Sequence, residues 1–157
     1  MDNRYEIVAG TADHAAQLAA TMREADVREI WASGRLVPDQ ALKLSMLASR
    51  DTSVGLVNGA VACMFGIAQP TVLSDVGYPW LLGSDLIVEH ARSFLRLSRA
   101  WVQERREGYS ALANFVDVRN TEAVRWLKWL GFKMDEPVPF GPDQLPFHPF
   151  YWRRDHV

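Results

Sequence analysis

Residues 120–132 read Asn120-Thr121-Glu122-Ala123-Val124-Arg125-Trp126-Leu127-Lys128-Trp129-Leu130-Gly131-Phe132. Asn120 suits a helix N-cap, its side-chain oxygen accepting from backbone N–H groups two or three residues on. The apolar positions from Ala123 to Leu130 bury a face, Gly131 takes the left-handed exit, and Phe132 re-enters a sheet. Trp126 and Trp129 stand three apart beside Leu127 and Leu130, so apolar surface nearly surrounds this helix. Two readings stand: a helix buried in the core, or a surface offered to a partner.

Working upstream, Ala111-Leu112-Ala113-Asn114-Phe115-Val116-Asp117-Val118 is a near-continuous apolar run, fit for a central strand covered on both faces. The longest helical pattern precedes it, from about His90 to Glu107, with Phe94, Leu95, Leu97, Trp101 and Val102 as its stripe and Gly108 as its stop. Tyr78-Pro79-Trp80-Leu81-Leu82-Gly83 comes before that and reads as a strand. Strand, helix and strand from Trp80 to Val118 predict a right-handed parallel crossover.

The N-terminal half opens with a short strand, Tyr5–Ala9, broken at Gly10-Thr11. Thr11 caps a first helix carrying Ala15, Leu18, Ala19 and Met22, with Asp13 in its first turn. A second helical stretch runs from about Asp26 to Ala32 and ends at Gly34. A third opens at Pro38-Asp39. Ser53–Val57 and Ala60–Ala68 then form a hairpin across Asn58-Gly59, a pair suited to a turn whose central residues both need positive φ. After Phe132, the segment from Pro137 carries five prolines (Pro137, Pro139, Pro142, Pro146, Pro149) with Phe140, Phe147 and Phe150. It reads as an extended arm, packed on its own sheet or on another subunit, and Tyr151-Trp152 as a last strand. The expectation is an α/β domain over residues 1–157: a mostly antiparallel mixed sheet flanked by helices, with this C-terminal arm from about residue 137.

Composition narrows the chemistry. The chain has 157 residues, 48% hydrophobic and 23% charged, with net charge −2, ordinary for one globular domain. One cysteine, Cys63, leaves no internal disulfide and no multi-cysteine zinc site. No apolar run approaches the ~18–20 residues of a membrane span, and the N-terminus lacks a basic-then-apolar leader. Residues 92–128 hold 8 basic and 4 acidic residues. That excess is too modest for duplex nucleic acid but could serve a small polyanion such as a cofactor phosphate.

The element order, with Asn120, Ala123 and the Gly131-Phe132 pair, resembles the GNAT superfamily of acyl-CoA N-acyltransferases. Three pieces are also similar to a family of small GNAT-like proteins of short-tailed bacteriophages, internal virion or morphogenesis proteins. They are Met22–Ile30 (MREADVREI), Pro79–Asp85 (PWLLGSD) and Leu112–Asn120 (LANFVDVRN). This narrower resemblance implies a protein of the host cytoplasm or virion, acting in assembly through contacts with a phage or host protein, with weak or no catalysis and no membrane or nucleic-acid partner. The superfamily resemblance implies the alternative, an acetyl-CoA-dependent N-acetyltransferase acting on a protein or small-molecule amine.

For either, the resemblance directs attention to particular positions. Superfamily enzymes hold the cofactor pyrophosphate on a glycine-bearing loop at the start of the long helix. Here Val88–Arg96 occupies that place, without glycine and with Glu89, so acetyl-CoA is expected to bind weakly, with a dissociation constant above roughly 100 μM. Arg92, Arg96 and Arg99 follow at i, i+4 and i+7, either a side-chain phosphate clamp or a solvated face. Arg92 and Arg96, with Asn120, are the cofactor-binding candidates. The superfamily's proton-donating Tyr falls at Leu127, leaving Tyr109 or Tyr151 as substitutes. Asp85, Asp117 and His90 are candidates for the general base, and Asp85 and Tyr109 are the favoured catalytic pair. Asp85 also suits a capping role. His14, His148 and His156 show no metal-ligand spacing, so no metal is expected.

Overall fold

A computed structural model describes residues 2–155, which leaves His156 outside the described residues. In chain order the elements are β1 (Tyr5–Ala9), α1 (Ala12–Thr21), α2 (Glu24–Gly34), α3 (Pro38–Ala48), β2 (Ser49–Val57), β3 (Ala60–Ala68), β4 (Val76–Gly83), α4 (Asp85–Glu89), α5 (Ala91–Arg105), a 3-10 turn (Arg106–Gly108), β5 (Ala111–Asp117), α6 (Thr121–Trp129), β6 (Lys133–Met134), β7 (Val138–Phe140) and β8 (Leu145–Arg153). One mixed sheet runs β1-β2-β3-β4-β5-β8-β6, with β7 paired to β8. All pairings are antiparallel except β4 with β5. The expected α/β class and mostly antiparallel sheet are therefore observed.

The local chemistry explains the early elements. Thr11 caps α1 by accepting from the His14 N–H, while the His14 ring accepts from the Thr11 N–H. Asn58 and Gly59 both take positive φ, 50° and 83°, and so turn β2 into β3 with the twist a two-residue hairpin requires. Leu18, Ile30 and Leu42 from α1–α3 pack on Val54, Val61, Met64 and Leu82 on one face of the sheet. Phe94 and Trp101 of α5 pack on Phe65, Ile67, Leu112 and Val116 on the other, joined at the edge of this cluster by Leu127 of α6 and Leu130 just past its end.

Three sequence expectations are corrected. The helix expected over His90–Glu107 begins earlier and in two pieces, because His90 leaves helical geometry (φ −116°, ψ 27°) between α4 and α5. Its ring nitrogen Nδ1 shares a 2.8 Å hydrogen bond with the Tyr5 hydroxyl. The proline-rich segment, expected as an extended arm, is more regular: it is extended on its own sheet, with β7 and β8 forming a hairpin and β8 pairing along all of β5. Helix α6 is not buried all round: it has no fully buried residue, and Trp129 is 45% exposed with the Arg99 guanidinium 5.0 Å from its ring centre.

The feature that positions the site is the parting of β4 from β5. They pair only at Val76–Ala111 and Gly77–Leu112. Pro79 stands two residues on. Its carbonyl points toward β5, where it accepts from the Asn114 side chain, so an ordinary residue there would also have aimed its N–H at β5. Proline has none, and the ladder loses the next donor.

Candidate functional site in the split between β4 and β5

Beyond Gly77 the two strands diverge, and a cavity of about 440 Å³ fills the gap. It is lined from both faces of the sheet: Glu29, Ile30 and Ser33 of α2 on one side, Leu95 of α5 and Ala123 and Leu127 of α6 on the other. Most of the wall is apolar. The polar groups that reach it are therefore few, and nearly all are engaged.

Helix α2 supplies most of those engagements. Asp26, 2% exposed, accepts from the Gly83 N–H on β4 at 2.8 Å. Its other oxygen accepts from the Arg23 guanidinium at 2.7 Å and from the Asn120 side-chain amide at 3.0 Å. The Arg23 backbone N–H donates to the Gly83 carbonyl at 2.8 Å. One turn further along α2, Glu29 accepts from the Asp117 N–H on β5 at 2.7 Å. The β5 edge is also served by Asn114, whose Oδ1 accepts from the Phe115 N–H while its Nδ2 donates across the gap to Pro79. Backbone groups in a strand alternate edges with period two. Since Pro79 and Gly83 aim their groups at the gap, Leu81 between them does too, which turns its N–H toward the split.

The charges are tuned by this burial. Burial lifts the Asp26 carboxyl above its usual range, against the pull of Arg23. Burial likewise pushes Glu29 to about 8, with the Asp26 and Asp117 charges adding to it. Asp117 also pays for burial, but the Arg119 guanidinium, 2.7 Å away, and the Arg119 N–H hold it below the usual range. Asp26 and Asp117 thus each have an arginine. Glu29 has no ion-pair partner among the described residues. Cys63 is fully buried and its thiol is pushed to about 12, which leaves no thiolate for nucleophilic chemistry.

The sequence-derived candidates fall in several places. Asp85 is exposed at the start of α4, where Ser84 and not Asp85 accepts from the Leu86 N–H. It lines a surface groove with Arg28, Glu89, Arg119 and Glu122 that shares no lining residue with the cavity. Tyr109 packs beside Gly77 at the closed end of β4, where burial raises its hydroxyl. Eight strand residues separate that end from Asp85, roughly 25 Å at about 3.3 Å per residue, so the two are not brought together. Arg92 and Arg96 are exposed on α5 and line neither the cavity nor the Asp85 groove. Asn120 is 1% exposed, and the expected cap is not made. Its Oδ1 accepts from Arg23 at 3.1 Å and its Nδ2 donates to Asp26, so burial beside two charged groups outcompetes the helix N–H groups for its side chain. Leu127 lines the cavity as an apolar residue. His90 is held by Tyr5, His148 by the Asp135 carbonyl, and Tyr151 is 3.5 Å from Asp135.

Sequence reasoning missed Glu29. It lay inside a quoted stretch, but only the fold shows that α2 crosses the split with Asp26 and Glu29 on its inner face.

No protein family matches the chain, and comparison with curated proteins gives no significant match. Solved structures do match over nearly the whole length. The chain is similar to yncA of Salmonella typhimurium, solved with its cofactor acetyl-CoA, at TM-score 0.71 and 17% identity, covering 98% of this chain and 96% of that one. A GCN5-related N-acetyltransferase of Kribbella flavida gives TM-score 0.67 at 21% identity, over 96% and 98%. The aminoglycoside acetyltransferase AAC(6')-Ib, solved with coenzyme A, gives 0.67 at 16%, over 96% and 95%. The fold is therefore that of the GNAT acetyltransferases, as the element order led us to expect. Nothing among these likenesses points to a virion protein.

Proposed function

We propose that this protein is an acyl-CoA-dependent N-acyltransferase whose thioester lies in the split between β4 and β5. The observation that carries the reading is the split itself: parallel strands that part beyond Gly77 around a largely apolar cavity, toward which strand alternation turns the Leu81 N–H. GNAT-fold neighbours solved with acetyl-CoA and coenzyme A support this over the assembly role expected from the phage resemblance.

The residues present fit the cofactor in two parts. The cavity suits an uncharged acyl and pantetheine arm. We assign the groove of Arg28, Asp85, Glu89, Arg119 and Glu122 as the mouth of the split; no glycine lines it. Phosphate groups there would be held by guanidinium side chains, chiefly Arg28 and Arg119 at the rim. Opposing Asp85, Glu89 and Glu122 weaken that hold, in keeping with modest affinity. When bound, the cofactor supplies an acyl group activated as a thioester.

The chain's own groups account for the rest. In its ionised form Glu29 accepts the proton released as the amine nitrogen bonds to the acyl carbon, and its raised basicity brings it closer to an amine. The Leu81 N–H donates to the acyl oxygen as the carbon–sulfur bond breaks. The departing thiolate takes its proton from water at the mouth, since Leu127 offers none. The acceptor amine belongs to a small molecule or to a protein partner. Calorimetric titration with acetyl-CoA, repeated on Ala123→Trp, tests the site. Saturable binding lost in the variant supports it; no binding to the folded parent at millimolar cofactor overturns it.

A further inference from the structure

The half of the cavity facing α2 is walled by Ile30, Leu36, Trp80, Phe115 and Phe140. Phe115 stacks on Phe140 with ring centres 4.2 Å apart, and Phe140 leans on Phe147 at 5.0 Å. The β7–β8 hairpin that carries Phe140 is pinned to the end of α2, by the Arg35–Asp143 ion pair and by close contact of Gly141 with the Ala32 carbonyl.

The polar groups of this half are mostly spent. The Trp80 Nε1–H donates to Ser49, both ends of the Asn114 amide are bonded, and the Ser33 hydroxyl donates to the Ile30 carbonyl. The Ser45 hydroxyl and the Glu29 carboxyl remain. Glu29 accepts from the Asp117 N–H, and the Asn120 side chain, already bonded to Arg23 and Asp26, also faces its carboxyl. Asp26 and Asp117 have arginines, so Glu29 is the carboxyl of this pocket with no cation beside it among the described residues, set against an aromatic wall.

We infer that the acceptor is a monoamine on an apolar, aromatic-sized body, its nitrogen at the Glu29 carboxyl and its body against Phe115, Phe140 and Trp80. This identification of the acceptor class rests on the acyltransfer reading above. A polyhydroxylated or polycationic amine would surrender its hydration here with one carboxyl to replace it, a loss an apolar amine does not suffer.

The test separates the two claims by measuring amine binding without cofactor. Calorimetry with 2-phenylethylamine on the full chain should show saturable binding. Binding should weaken at least tenfold in Glu29→Gln and again in Phe140→Ala, with thermal melts confirming that both variants fold. Ethanolamine and kanamycin should not saturate. Unchanged binding in folded Glu29→Gln, or preference for kanamycin, overturns the inference. Thiol release from acetyl-CoA is then followed with each amine. Binding of 2-phenylethylamine without thiol release overturns acyl transfer while leaving the amine pocket standing. Release with ethanolamine or kanamycin but not with 2-phenylethylamine overturns the pocket and leaves acyl transfer standing.

Discussion

Asp26 and Glu29, one turn apart on α2, grip opposite banks of the same split: Asp26 holds the Gly83 N–H of β4 and Glu29 the Asp117 N–H of β5. The two strands would otherwise leave these donors without a partner across the split, each at a cost of about 1–3 kcal/mol. An i, i+3 pair on one helix satisfies both banks at once. The same arrangement removes two carboxyls from water, and that is what makes Glu29 unusual.

Glu29 should make stability fall as pH rises. Its folded value of about 8 lies above the ordinary 4.5, so between those values the folded chain holds a proton that the unfolded chain releases. Stability is then lost progressively from about pH 4.5 to 8. Asp26 and Asp117 face the same carboxyl, but their own titrations occur in parent and variant alike and largely cancel. Glu29→Gln should therefore gain on the parent across this range, by a few kcal/mol as an order of magnitude. Denaturant melts at pH 5, 6.5, 8 and 9 check this; parallel curves would refute it.

Asn120 should matter more than a cap. Removing its side chain leaves Arg23 and Asp26 each short of one buried partner. Asn120→Ala should cost about 2–4 kcal/mol, above the 0.5–2 kcal/mol of an ordinary N-cap. Arg92→Ala and Arg96→Ala, on the exposed face of α5, should stay within about 0.5 kcal/mol of the parent. Equal melts for all three would contradict the buried network.

Much of the fold was legible because it is written in local chemistry. Thr11, Asn58-Gly59 and Gly131 act through their own backbone neighbourhoods, and Gly131 indeed takes φ +102°. Asn120 was misread because its partner lies 97 residues away in Arg23, and no spacing rule reports a bond that only the tertiary fold creates. Glu29 was passed over for the same reason: its environment comes from β5. The proline-rich segment misled in another way. Pro146 and Pro149 are tolerated within β8, although proline normally argues against a strand with neighbours on both sides.

Arg28 should contribute to phosphate binding from the rim of the mouth. Arg28→Ala should weaken coenzyme A about tenfold or more, the scale of one charge-assisted contact of about 1.5–3 kcal/mol. It should leave acetyl-pantetheine, which lacks the nucleotide, unchanged. Arg28 is preferable to Arg119 for this test because Arg119 also neutralises Asp117. The double variant Arg92→Ala, Arg96→Ala supplies the comparison: should it lose coenzyme A while Arg28→Ala keeps it, the phosphates lie on α5 instead.

Leu81 should contribute through its backbone alone. Its side chain lines the cavity, but the group assigned a role is the N–H on the strand edge facing β5. Replacing the 80–81 amide by an ester removes that N–H and keeps the side chain. The ladder to β3 should survive, because that N–H points away from β3. Loss of one donor to a developing oxyanion typically lowers kcat by about 10²–10³. Cofactor affinity should change far less, since the bond strengthens only as negative charge grows on the oxygen. The measurement is kcat and KM for acetyl transfer to 2-phenylethylamine, with calorimetry for the cofactor. A drop confined to kcat identifies Leu81 as the oxyanion donor. An unchanged kcat, with the ester protein melting near the parent, assigns that oxygen to another group.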